Sequence, residues 1–186
     1  GVEHEVRVSN VDESKIPADH PRTFALRAAY LKANDVAKDC TAGDLVIACD
    51  TVVTRQSILY GKPAHAADAR HMLRQLSGEP HDVITGVAIA VTGGSEVRMD
   101  SETTQVVFRE LSDEEIDAYI ATGGPMDKAG GYGIQEGGGD FVARIAGDYY
   151  NVVGFPCKLV ASMLKETGHH GGVTIPETPD RWRLRN

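Results

Sequence analysis

Leu45-Val46-Ile47-Ala48-Cys49-Asp50-Thr51-Val52-Val53 is the stretch that decides the fold. Its first five residues form a continuous apolar run, introduced by Asp44, that is too short for a helix. A run with no polar alternation is what a strand covered on both faces requires, and it is typical of a buried parallel strand. Asp50 then falls at the C-terminal end of that strand. In an open α/β sheet, that end borders the crevice in which ligands bind.

Working outward, a hairpin or turn at Arg55-Gln56-Ser57 returns through Ile58-Leu59-Tyr60. Upstream, helical spacing of Phe24, Leu26, Ala29, Tyr30 and Ala33 predicts a helix over 23–38, and residues 4–8 read as a strand. Downstream, Ala66, Ala69, Met72, Leu73 and Leu76 predict a helix over 65–77, stopped by Gly78 and Pro80. Strands are expected over 82–91 and 102–108, around a turn at Gly93-Gly94. Ser112 and Glu115 form a capping box that starts a helix running to about Ala121. Eight of the 20 glycines lie between Gly123 and Gly139, a loop suited to close backbone approach. A strand over 140–145 and a helix over 156–167, ending at Gly168, complete the pattern. The expected class is α/β, a mixed twisted sheet flanked by helices, in one domain over 1–168. Residues 169–186 lose the apolar periodicity and are expected to form a mobile tail.

The composition belongs to an ordinary globular chain of 186 residues, 41% hydrophobic and 25% charged. Its formal net charge of −8 argues against a nucleic-acid polymer or an anionic membrane as partner. A small anionic substrate stays open, because local lysines set the potential inside a pocket. No apolar run reaches the ~18 residues of a membrane span. Cys40, Cys49 and Cys157 show no C-x-x-C spacing, so reduced thiols and a cytoplasmic setting are expected.

Three further segments carry polar chemistry: Gly61-Lys62-Pro63, then residues 127–135 (Asp-Lys-Ala-Gly-Gly-Tyr-Gly-Ile-Gln), then residues 147–156 (Gly-Asp-Tyr-Tyr-Asn-Val-Val-Gly-Phe-Pro). Asp50 can accept a proton from water or hold Mg²⁺ through oxygen, or else cap the next turn. Lys62 sits on a turn stiffened by Pro63, which presents its ammonium; an ordinary solvated lysine is the plain alternative. Lys32 lies on the first helix, downstream of Glu13, and could equally make a helix-face salt bridge of little worth. Gln135 carries an amide able to read the carbonyl and N–H edge of uracil or thymine, or to fasten its own loop. Asp127-Lys128 offers either a catalytic carboxylate and phosphate ligand or charges shaping the loop mouth. Asn151 reads as a buried turn-maker, and Tyr132, Tyr149 and Tyr150 as packing that could stack on a base. His169-His170 has no Cys or carboxylate company for a metal. No G-K-[ST] follows the glycine-rich loop, so it is not a P-loop.

The four segments in this order resemble the Maf family of nucleoside triphosphate pyrophosphatases, and the loop ending Tyr132-Gly133-Ile134-Gln135 resembles its dTTP/UTP branch. The resemblance runs from Val6 to Leu164 and implies an inosine-triphosphatase-like fold, usually dimeric, with a cleft between two lobes. It implies Mg²⁺-dependent hydrolysis of a nucleoside triphosphate to monophosphate and pyrophosphate. It implies Asp50 as proton acceptor, Glu13, Lys32 and Lys62 around the phosphates, Asp50 and Glu13 at the metal, and Thr51 and Gln135 in substrate choice. Members also open with a Ser-x-Ser-x-Arg-Arg turn that this sequence, beginning at Gly1, does not contain; Arg22 and Arg27 follow no such pattern. The chain is expected to be a fragment or a gene product without that element. Losing such a clamp would cost ~2–4 kcal/mol of transition-state stabilisation. The competing expectations are a non-catalytic nucleotide-binding module linked to septum formation, and a pyrophosphatase for purine or methylated nucleotides.

Overall fold

In the computed structural model, residues 3–94, 96–168 and 175–182 are described. Five strands form one sheet: β1 (Leu45–Arg55), β2 (Ile58–Tyr60), β3 (Pro80–Val91), β4 (Val97–Phe108) and β5 (Val142–Ala146), in the order β2-β1-β3-β4-β5. Five helices flank it: α1 (Pro21–Ala37), α2 (Ala66–Leu76), α3 (Asp113–Ala121), α4 (Tyr149–Val153) and α5 (Cys157–Glu166). The α/β class with helices around a sheet is thus as expected. Among the described residues, however, every ladder is antiparallel, which corrects the parallel direction read from the Leu45 run. The reason is physical: an apolar run reports cover on both faces, not the direction of its neighbours. Here α1 packs on one side of β1 and β3, and α5 on the other.

Asp50 is also not at a strand end. It is the sixth residue of an eleven-residue strand that continues into the β1–β2 hairpin, where Gln56 and Ser57 both take positive φ (51° and 66°). Two such residues in a two-residue loop are what a tight hairpin turn demands. β2 pairs only with Val53, Thr54 and Arg55, so the outer edge of β1 before Val53 has no ladder partner among the described residues.

Residues 4–8 do not form a strand. Val6 and Val8 are 83% and 88% exposed, with no ladder partner among the described residues. Arg7 instead donates to the Asp39 carbonyl at 2.8 Å, and the Asn10 amide to Asp35 at 2.8 Å, fastening this segment along the end of α1. Asp12 then caps a short turn that places Glu13.

α1 buries alanines. Ala25, Ala28, Ala29 and Ala33 are fully covered, whereas Tyr30 and Leu31, larger and more apolar, are about 40% exposed. An alanine face lets the helix lie close to the sheet, and Gly86 of β3 takes up the approach. A Cβ on Gly86 would stand 2.4 Å from the Ala25 carbonyl carbon and oxygen. Gly86 is the register partner of Asp50. The helix therefore settles beside the carboxylate, with Lys32 two turns further on.

The largest core cluster joins Leu73 and Leu76 of α2, Ile116 and Tyr119 of α3, Phe108 of β4 and Ile145 of β5. The expected capping box is present, Ser112 accepting the Glu115 amide at 3.2 Å and Glu115 the Ser112 amide at 2.9 Å. No helix among the described residues is long and apolar enough to cross a membrane. Of the tail, residues 175–182 are described: Arg181 pairs with Asp140 at 3.0 Å and Trp182 stacks on Tyr149. His169 and His170 lie outside the described residues.

Gly86→Ala is expected to push α1 off the sheet and destabilise the fold by roughly 1–3 kcal/mol, a fall in Tm of about 3–10 °C. Scanning calorimetry checks this; an unchanged Tm would contradict the close packing of α1 on β3.

Candidate active site

Adjacent residues on a strand point to opposite faces. Asp50 accordingly turns toward α1, and Thr51 toward Thr85 and α4. Between them, at the open edge of β1, lies a cavity of about 330 Å³. Its walls include Asp50 and Thr51, Lys32 of α1, Lys62, the glycine-rich loop from Asp127 to Glu136, and Val152 to Gly154. All four sequence segments therefore converge on one space.

Backbone contacts hold them together. Gly130 takes φ +70°, its amide donates to the Gly61 carbonyl at 3.0 Å, and a Cβ there would press on Val53 at 3.0 Å. Only glycine combines that conformation with that closeness. The loop thus packs onto β1 while gripping the turn that carries Lys62.

At the floor of the cavity Lys32 bridges two carboxylates, with Nζ 2.6 Å from Asp50 Oδ1 and 2.7 Å from Glu13 Oε1. Asp50 is 8% exposed. Burial pushes its pKa above the ordinary carboxylate value, and Glu13 adds to the rise against the opposing pull of Lys32 and Lys62. Burial also acts to raise Glu13, but the bond and charge of Lys32 and the charge of Lys62 outweigh it, so Glu13 stands below its ordinary value. Lys32 is raised, since its bonds to Asp50 and Glu13 exceed the opposing effect of burial. Two carboxyls pushed apart beside one ammonium divide the labour: one is suited to taking up a proton, the other to remaining an anion.

The other expected residues fall as follows. Lys62 is exposed at the cavity wall and makes no ion pair among the described residues. Lys128 is held by Asp127 at 2.8 Å and Glu136 at 2.7 Å, and Asp127 is lowered by that lysine. Gln135 lines the mouth and is exposed. Arg22 and Arg27 bond to Ser101 and Asp19 and do not line the cavity. Tyr132 forms part of the wall, but its hydroxyl meets His81 Nε2 at 2.9 Å and its ring packs edge-on to Phe108. Tyr149 and Tyr150 pack on each other outside the cavity. Asn151 is buried as expected but lies within α4 rather than making a turn, its side-chain amide donating to the Val83 carbonyl at 2.9 Å. Cys49 also lines the cavity, yet burial pushes its thiol up to about 12, so it stays protonated and is no nucleophile.

Two further residues touch the candidate site. Thr85 is the hydroxyl against Thr51 at 2.8 Å; the sequence signal was a threonine amid Val83, Ile84 and Val87 in a central strand. Glu136 is the second anion on Lys128, and nothing in its spacing marks it.

Residues 1–167 match a family model described as Maf-like protein. The chain belongs to the Maf family. A dTTP/UTP pyrophosphatase of Alkaliphilus metalliredigens is 48% identical over 159 residues, 85% of this chain and 82% of that protein. That of Geotalea uraniireducens is 44% identical over 168 residues, covering 90% and 86% of the two chains. That of Pyrococcus furiosus is 46% identical over 164 residues, covering 88% and 84%.

The histidine behind Tyr132 carries a pH dependence of its own. Burial holds His81 neutral, with a pKa lowered to about 4. A depressed histidine contributes stability that is full above the unfolded value of 6.5 and declines as pH falls toward 4. The loss is expected to reach about 3 kcal/mol. Urea unfolding between pH 7 and 4 should show that slope in the parent protein and a flatter one in His81→Asn; equal slopes would contradict it.

Proposed function

We propose that this chain is a nucleoside triphosphate pyrophosphatase that hydrolyses dTTP and UTP to the monophosphate and pyrophosphate. The observation that carries it is the Lys32–Asp50 pair in a cavity also walled by Lys62 and Gln135, with Glu13 joined to it through Lys32 rather than lining the cavity. Membership of the Maf family and the names of the relatives give the substrate class.

In this reading water attacks the α-phosphorus, the bond from that phosphorus to the bridging oxygen breaks, and pyrophosphate leaves with the bonding electrons. Asp50 accepts the proton that the water gives up, the role for which its raised pKa suits it. Lys32 holds the carboxylate in position and offsets negative charge spreading over the phosphoryl oxygens. Lys62, without an ion-pair partner among the described residues, is available to the departing pyrophosphate. Cys49, protonated and beside Asp50, plays no covalent part.

Asp50 and Glu13 also fit Mg²⁺. They are hard oxygen donors meeting at one ammonium, and Mg²⁺ is ordinarily held by one or two carboxylates together with substrate phosphates and water. When bound, the ion would supply charge neutralisation across the phosphate oxygens. The same proposal takes residues 1–168 as the catalytic domain and a homodimer as its assembly, which light scattering measures. The relatives, which are pyrophosphatases, favour the enzyme over a non-catalytic module.

The test is a panel of dTTP, UTP, CTP and GTP with separate detection of pyrophosphate and orthophosphate. Pyrophosphate from dTTP and UTP is the expected result, and orthophosphate alone, or no release, would overturn it. Asp50→Asn should lower kcat about 10²–10⁴-fold. Its stability should move the other way. A carboxyl with a raised folded pKa supports the fold below about 3.8, its unfolded value, and loses that support as pH rises through the folded value. At pH 7 the variant should therefore unfold at the same or higher urea than the parent, while Lys32 keeps Glu13. Full activity, or marked destabilisation at pH 7, would contradict the assignment.

A further inference from the structure

The amide at the cavity mouth has a degeneracy that its own chemistry cannot remove. Gln135 presents a donor beside an acceptor, and a half-turn exchanges the two. Uracil and thymine show a carbonyl next to N3–H, and cytosine shows an amino group next to a bare N3. A flipping amide can match either edge. Gln135 is exposed and has no side-chain partner among the described residues, so neither orientation is fixed before a ligand arrives. Telling the two pyrimidines apart requires a second group whose polarity cannot reverse.

Thr51 meets that requirement through Thr85. The Thr85 hydroxyl lies 3.1 Å from the carbonyl oxygen of Asn151 and 2.8 Å from the Thr51 hydroxyl. The Asn151 carbonyl, which also accepts the Gly154 amide at 3.0 Å, can only accept, so its contact with Thr85 is a hydrogen bond only when the single Thr85 proton points to it. Thr85 then has only lone pairs to offer Thr51, and Thr51 must donate inward. What Thr51 turns to the cavity is an acceptor.

The relay is locked in place. Thr85, Thr104 and Asn151 are all 0% exposed. The Asn151 side-chain amide donates to the Val83 carbonyl at 2.9 Å and to Thr104 Oγ1 at 3.0 Å. Thr104 Oγ1 in turn donates to the Asp148 carbonyl at 3.1 Å and accepts its amide at 3.0 Å. Gly154 lies over Thr51, where even a Cβ would come within 3.3 Å of the hydroxyl.

We propose that Thr85 is a specificity-determining positioning residue: it accepts the hydrogen bond of the Thr51 hydroxyl and so leaves Thr51 an acceptor toward the cavity. That polarity matches the N3–H of uracil and thymine and sets lone pair against lone pair at cytosine N3. The inference rests on the pyrimidine nucleotide reading above and names the group that selects within it.

The experiment compares kcat/KM for UTP and CTP, by pyrophosphate release, with Kd for UMP and CMP, by calorimetry. Parent, Thr85→Val and Thr85→Ser are measured, with Thr85→Ala in place of the valine variant should that one not fold. Removing the hydroxyl is expected to lower the UTP:CTP and UMP:CMP ratios roughly tenfold, while serine keeps the parent ratios. An unchanged ratio in the folded hydroxyl-free variant, an equal loss in the serine variant, or a parent UMP:CMP ratio near one would overturn the proposal. A parent that releases no pyrophosphate from UTP would sink the enzymatic reading alone, since the binding ratios still decide this one.

Discussion

A carboxylate buried in the middle of a strand is the constraint around which the rest of this molecule is arranged. Taking such a group from water is expensive unless an opposite charge and hydrogen bonds replace the hydration it loses. Lys32 is that replacement, and it can reach Asp50 only because α1 lies unusually close to the sheet. The alanines on the inner face of α1 and the missing side chain at Gly86 make the approach. Glu13, delivered by the capped turn ahead of α1, keeps Lys32 charged while Asp50 is pushed toward protonation. Burial that disfavours the Asp50 anion also suits the carboxyl to accepting a proton.

The opposite wall solves a different problem. A loop rich in glycine would wander if nothing fixed it, yet here Gly130 is bonded to Gly61 and pressed onto Val53. The same contacts set the distance between the lysine-bearing turn, the strand and the amide of Gln135. The proposed selection and chemistry would thus share one frame: Asp50 on one face of β1, Thr51 on the other, with the loop walling the cavity between them.

Much of this was legible in the sequence because the signals were local. The capping box at Ser112, the glycine density from 123 to 139, and the apolar run from Leu45 each reflect chemistry confined to a few residues. Strand direction was not legible, because cover by α1 and α5 gives β1 the same composition whichever way its neighbours run. Val6 and Val8 alternate like a strand, but alternation cannot supply a partner edge. Tyr30 and Leu31 look like core and are not, since the close approach to Gly86 selects for small side chains over apolar ones. The residues of the candidate site could be named one by one from the sequence, whereas their couplings could not. Lys32 joining Glu13 to Asp50, and Thr85 standing behind Thr51, depend on register between segments 18 and 34 positions apart.

The most direct measurement is a crystal structure with an α,β-imido analogue of dUTP and Mg²⁺. The α-phosphorus is expected beside Asp50 and Lys32, the outer phosphates toward Lys62, and the base between Thr51 and Gln135. A triphosphate bound away from Asp50, or a base seated outside the wall formed by the glycine-rich loop, would contradict it.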